Sequence, residues 1–154
     1  MSLISLAAEH PVVRATLVEA GWSAVRRRDA SSWDRVLRQE GFSVTEPAIE
    51  VLEELGGLTL SPPRWAAAAF GSGPIVMDPI MAASGEAARI KQRERELGLV
   101  LCPVGEWIVE YVLLVADDSS VFAETTFQVL RVGRNFGEAL RVMIVADPAP
   151  EPIA

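Results

Sequence analysis

Residues 45–60 read Thr-Glu-Pro-Ala-Ile-Glu-Val-Leu-Glu-Glu-Leu-Gly-Gly-Leu-Thr-Leu, and the fold class turns on how this stretch is parsed. The Thr45 hydroxyl suits a helix N-cap and Pro47 suits a first turn, where its missing N–H costs nothing. Ala48, Val51, Leu52 and Leu55 recur at i, i+3, i+4 and i+7, the spacing of one buried stripe. Glu46, Glu50, Glu53 and Glu54 fall on the other side and read as a solvated face. Gly56 ends the helix, and Leu58-Thr59-Leu60 reads as a short strand. An amphipathic helix that turns through two glycines into a strand is the central unit.

Upstream of it, a first helix is expected from Pro11 to Ala20, with Val13, Leu17 and Ala20 on one stripe and Gly21 as its stop. Trp22 begins a connection through Arg26-Arg27-Arg28. A second helix is expected from Ser31, acting as its cap, to a stop at Gly41, with Trp33, Val36 and Leu37 inward. Downstream, Ser61-Pro62-Pro63 breaks the strand, residues 64–74 read as loop, and Ile75-Val76-Met77 reads as a strand ended by Asp78-Pro79. Ser84 is the expected cap of a helix that carries Ala87, Ile90 and Leu97 inward and stops at Gly98. Its run from Lys91 to Glu96 alternates in sign like a solvated face.

A strand is then expected over Trp107 to Val115, with Asp117-Asp118-Ser119-Ser120 as a hairpin loop. Val121 to Thr126 and Gln128 to Val132 continue an antiparallel meander. Asn135 and Glu138 form a capping box for a last helix through Val145, with Phe136, Leu140, Met143 and Ile144 inward. No βα alternation repeats. The expected class is α+β: one domain over residues 1–146, its helices packed against a mostly antiparallel sheet, and a loose proline-rich tail over 147–154.

Composition narrows the function. The 154 residues are 50% hydrophobic and 23% charged, which suits a packed globule that needs no disulfide or metal staple. Cys102 is the single cysteine, so no internal disulfide forms, which fits a reducing compartment. The N-terminal stretch lacks the basic region of a secretion signal, and the longest apolar run, Trp107 to Ala116, contains Glu110. Cytoplasm is the expected location. The net charge of −7 is uneven: residues 46–86 hold six acids and only Arg64. Such a field repels a phosphate backbone and attracts a basic protein, so a protein partner is expected, and neither a nucleic acid nor a membrane.

A search for chemistry finds little. One histidine, His10, precedes a proline and reads as a turn or cap residue. Cys102, between Leu101 and Pro103, reads as a small buried hydrophobe. No GxSxG, CxxC or HExxH occurs, Gly71-Ser72-Gly73 lacks the lysine of a P-loop, and Asp117-Asp118 lacks the pattern of a calcium loop. No catalytic residue, metal ligand or cofactor is assigned, and the protein is not expected to be an enzyme.

Several short runs stand in a characteristic order: AGW at 20–22, arginines at 26–28, GF at 41–42, LGGLTL at 55–60, ELG at 96–98, LCPVGE at 101–106 and GRNFGEAL at 133–140. Together they resemble the third subfamily of the SUKH superfamily, the immunity proteins of bacterial polymorphic toxin systems, over about residues 16–145. The resemblance implies a SUKH-like fold and a protein that binds and neutralises a cognate secreted toxin, often a nuclease or deaminase. It carries over no catalytic residue. It implies that Gly56 and Gly57 shape the corner, that Trp22, Phe42, Leu55 and Phe136 are core, and that Gly105 makes a turn beside Pro103. Leu55 stands where the family often has an aromatic, a conservative difference. The alternative is a non-catalytic binding or scaffold module of the same fold with another cellular partner. For either, the candidate contacts are Glu46, Glu50, Glu53, Glu54, Trp65, Asp78, Asp117 and Asp118, on a surface complementary to a basic partner.

Overall fold

The Thr45–Leu60 stretch folds as its pattern dictates. In the computed structural model, which describes residues 2–63, 73–145 and 151–153, Glu46–Leu55 is a helix and Thr59–Leu60 a strand. The Thr45 hydroxyl accepts from the Ala48 amide at 3.3 Å, and Ala48, Val51, Leu52 and Leu55 are buried. In chain order the described helices are α1 (Leu3–Ala7), α2 (Pro11–Ala20), α3 (Ser31–Gln39), α4 (Glu46–Leu55), α5 (Pro79–Ala83), α6 (Ala87–Leu97) and α7 (Phe136–Val145). The strands are β1 (Thr59–Leu60), β2 (Ile75–Val76), β3 (Leu101–Trp107), β4 (Tyr111–Ala116), β5 (Val121–Glu124), β6 (Val129–Gly133) and β7 (Glu151–Pro152).

The seven described strands form one antiparallel sheet in the order β1-β2-β3-β4-β5-β6-β7, each paired with its neighbour in sequence and with α5 and α6 inserted between β2 and β3. The class is α+β. Nearly every residue of β3, β4 and β5 is buried, with no in–out alternation, so both faces of the central sheet are covered. Successive side chains point to opposite faces. Glu124, paired in register with Val112, meets the arginines of α6, while Val115 lies on the face towards α4 and α7.

Several elements differ from the expectation. The stretch expected as one strand over Trp107 to Val115 is divided: Ile108 and Val109 turn the chain at φ 56° and 63°, so β3 and β4 make a hairpin. β-Branched residues rarely adopt positive φ, so nothing local announces the turn. The segment before β2 holds it, with the Ile108 amide donating to Pro74 O at 3.0 Å. Gly105 lies inside β3 and not in a turn. It follows a register shift after Pro103, and a Cβ there would collide with the backbone of Val76 in β2.

α1 and α5 were not anticipated, because five residues are too few for a periodic pattern. Asp78-Pro79, read as a strand end, starts α5: the Asp78 carboxylate accepts from the Ile80 and Met81 amides, both at 3.1 Å. Ser84 is therefore the C-cap of α5, and α6 begins after Glu86 without a side-chain cap. In α3 the cap position is Ala30, and Asp29, not Ser31, meets the first amide at 2.9 Å. Residues 151–152, inside the stretch read as loose, pair with β6, and Ile153 donates to Val129 O at 2.8 Å. Proline is tolerated on an edge strand, and Pro152 sits on one.

The run from Lys91 to Glu96 is only partly a solvated face. Glu124 is fully buried on β5, and Arg93 Nε and Arg89 Nη2 reach its carboxylate oxygens at 3.0 Å each. Burial disfavours the Arg93 cation, but its bonds to Glu124 and Glu96 outweigh that and raise its pKa. The pair fastens α6 to the sheet.

The corner after α4 assigns different tasks to its two glycines. A Cβ on Gly56 would run into the Trp33 ring and Leu52 O, whereas Gly57 has open space around it but a φ of +84°. Gly56→Ala is expected to cost about 2 kcal/mol through overpacking, and Gly57→Ala about 1 kcal/mol through left-handed strain alone. Urea midpoints at unchanged slope measure both, and equal losses would refute the division of tasks. Glu124→Gln is expected to cost about 3 kcal/mol by leaving two guanidinium groups without their buried counter-charge. Removing the exposed Asp34–Arg38 pair by Arg38→Ala should cost about 0.5 kcal/mol, although its 2.6 Å contact is shorter.

Candidate functional site

α4 carries four glutamates and no basic residue, and its C-terminal end is held from outside. Arg26 donates to Glu54 O at 2.6 Å and to Gly56 O at 2.9 Å, placing a cation where the carbonyl ends of the helix are unpaired. Burial, and then the nearby Arg28, lower the Arg26 pKa from its ordinary value. The Arg28 amide adds a bond to Glu53 O at 2.7 Å. Part of the arginine run at 26–28 is therefore a staple for α4.

The four glutamates separate into two kinds. Glu54, expected on the solvated face, is buried. Its Oε2 accepts from Trp22 Nε1 at 3.0 Å and from Ser2 Oγ at 3.1 Å, and Arg27 lies 3.8 Å from Oε1. Glu46 and Glu50 are exposed and Glu53 is half-buried. Among the described residues none of these three carboxylates has a hydrogen-bond or ion-pair partner.

Glu50, Glu53 and Glu54 line one wall of a cleft of about 470 Å³. Its other walls come from the start of α1, the β4–β5 loop and the start of α7, through Leu3, Ser119 and Phe136. Val51 and Val115 contribute apolar surface between them. The β4–β5 loop is rigidly built. The Ser120 amide donates to Asp118 at 2.9 Å, Ser119 adopts a φ of 77°, and the Asp117 carboxylate accepts from the Val100 amide at 3.2 Å. The hydrogen bonds from Ser120 hold the Asp118 carboxyl below the usual carboxylate range.

The sequence-derived contacts are thus only partly gathered. Glu50, Glu53 and Glu54 share the cleft, and Ser119 brings the exposed pair Asp117–Asp118 to its margin. Glu46 lies one turn before Glu50 and does not line it. Asp78 belongs to a smaller pocket beside Trp33 and spends its carboxylate on capping α5. Trp65 lies outside the described residues. Sequence reading missed Ser2, Leu3 and Arg27 as cleft residues. The first two sit at the start of an unanticipated helix, and Arg27 belongs to an arginine run whose local pattern does not separate it from Arg26, which bonds the α4 terminus.

Of the other motif residues, Trp22, Phe42, Leu55, Pro103 and Phe136 are buried. His10 caps α2, its Nδ1 accepting from the Val12 amide at 3.3 Å. Cys102 is buried, and desolvation pushes its thiol up to about 11, so it is protonated at neutral pH and a poor nucleophile. Among the described residues no cluster of His, Cys, Asp and Glu is placed to hold a metal ion, and no helix is long and apolar enough to cross a membrane.

Comparison with known proteins agrees with the order of motifs. The model of the SUKH-3 immunity protein family matches residues 10–145. Neither curated proteins nor solved structures give a match. The matched region begins just before α2 and ends with α7, so it takes in the arginine staple, the glycine corner and the four central strands together. The chain belongs to the SUKH-3 immunity protein family.

Proposed function

We propose that this protein is a non-catalytic cytoplasmic inhibitor that binds a cognate secreted toxin of the nuclease or deaminase class and silences it by occupying a basic surface. The observation that carries this reading, beside family membership, is that the Glu46, Glu50 and Glu53 carboxylates of α4 have no partner among the described residues. Glu46–Glu50 and Glu50–Glu53 are like-charge neighbours, each costing the helix about 0.2–0.5 kcal/mol. On α6, by contrast, Lys91–Glu94 and Arg93–Glu96 are ion pairs at i, i+3. A basic partner surface would supply the missing counter-charge, and a nucleic-acid-directed toxin carries such a surface around its active site. The net charge of −7 favours fast encounter with it.

Co-expression with the C-terminal domain of a secreted protein encoded beside this gene tests the reading. Rescue of growth and a co-purified complex are the expected results. A toxic neighbour that is neither bound nor neutralised would turn the assignment towards a scaffold role. Within a rescuing pair, replacing Glu50, Glu53, Asp117 and Asp118 together by lysine should slow association by about 10-fold or more at low salt. Unchanged association would remove the acidic surface from the interface.

A further inference from the structure

The acidic wall is only one side of the cleft. The Leu3 side chain, 50% exposed, stands at the mouth, and Ile4, Pro47, Val51, Val115 and Phe136 supply apolar surface. The charged lining is three carboxylates, of Glu50, Glu53 and Glu54, against one guanidinium, of Arg27. Glu54 is engaged by Trp22 and Ser2, so the unsatisfied charge is that of Glu50 and Glu53. An apolar floor beneath two free carboxylates complements a long methylene stem that ends in a cation. A purely apolar side chain would leave the carboxylates unpaired, and a free inorganic cation would gain nothing from the floor.

We infer that the cleft seats a single arginine or lysine side chain projecting from the toxin, its stem lying over Leu3 and Val51 and its charge meeting Glu50 and Glu53. This rests on the toxin-binding reading above and names the group of the partner that anchors it. A cleft of about 470 Å³ is large for one side chain, so flanking residues of the same segment enter its mouth. A cation drawn from water into a cleft against two carboxylates is an interface anchor, unlike one that meets the exposed Asp117 and Asp118 at the margin.

The first test needs only this protein. N-acetyl-arginine amide is titrated while backbone amide shifts are followed by NMR, with N-acetyl-norleucine amide and guanidinium chloride as probes of stem and charge alone. Expected are saturable shifts clustered at Leu3, Val51 and Ser119 for the arginine amide, larger than for either control and abolished by Glu50→Gln with Glu53→Gln. Scattered shifts, or equal shifts from guanidinium alone, would overturn the proposal. The second test uses a toxin domain that wild-type protein binds. Leu3→Arg, which supplies the cleft with a cation of its own, should weaken binding by about 10-fold or more. Phe127→Ala, 91% exposed on the β5–β6 loop at the opposite end of the sheet, should leave binding within about 2-fold. If Leu3→Arg binds as wild type does, the cleft assignment fails while the immunity reading stands. If wild type binds no toxin yet the arginine amide seats as expected, the immunity reading fails and the cleft remains a cation site.

Discussion

The C-terminal end of α4 is the point on which the rest of the structure depends. A helix that ends in Glu-Glu-Leu-Gly-Gly places two negative charges beside its own negative pole, the unfavourable orientation for its dipole. The fold resolves this from outside the helix. Arg26 takes the terminal carbonyls, and Trp22 and Ser2 take the Glu54 carboxylate. With that end held, Gly56 can lie under the Trp33 ring and Gly57 can turn the chain into β1, the first strand of the meander. Ser2, in bonding Glu54, also ties α1 to α4, and α1 forms one wall of the cleft.

The cleft follows from the same arrangement. Turning Glu54 inward leaves Glu50 and Glu53 at the surface of α4 without a cation partner among the described residues. Arg26 is committed to the helix terminus, while Arg27 stays largely exposed and only 3.8 Å from Glu54. On the other face of the sheet the logic is reversed. Glu124 is buried and ion-paired to Arg89 and Arg93, its Oε2 taking the hydrogen bonds while Oε1 has only the nearby Arg89 charge, so that carboxylate is structural. Buried and paired, or exposed and unpaired, is the physical distinction between charges that hold this fold and charges free for a partner.

Much of the scaffold was legible residue by residue. α2 and α4 run as their caps and stripes dictate, the Asp117–Ser120 loop joins two strands, and Asn135 caps α7 by accepting from the Glu138 amide, the Glu138 side chain meeting the Asn135 side chain instead of its amide. The failures have distinct causes. Ile108 and Val109 carry strand propensity into a turn, and tertiary contacts override it. Gly105 reads as a turn glycine, yet it is required by the close approach of β2. α1 and α5 are too short to show periodicity. Glu54 sits among glutamates that share its local pattern, and only the position of Trp22 distinguishes it.

By itself the sequence determined the α+β class, the helix-to-strand corner, the family resemblance and an acidic character. The class and the corner depend on local periodicity and on glycine and cap chemistry, the acidic character depends on summed charge, and the family shows through a resemblance carried by short runs in order. Only the tertiary structure decided which glutamates are free, which arginine is a staple and where the cleft lies. Those properties depend on neighbours distant in the chain: Ser2 and Trp22 meet Glu54, and Ser119 and Phe136 line the cleft with α4. A carboxylate looks the same in sequence whether a buried indole or bulk water solvates it, and packing alone makes the difference.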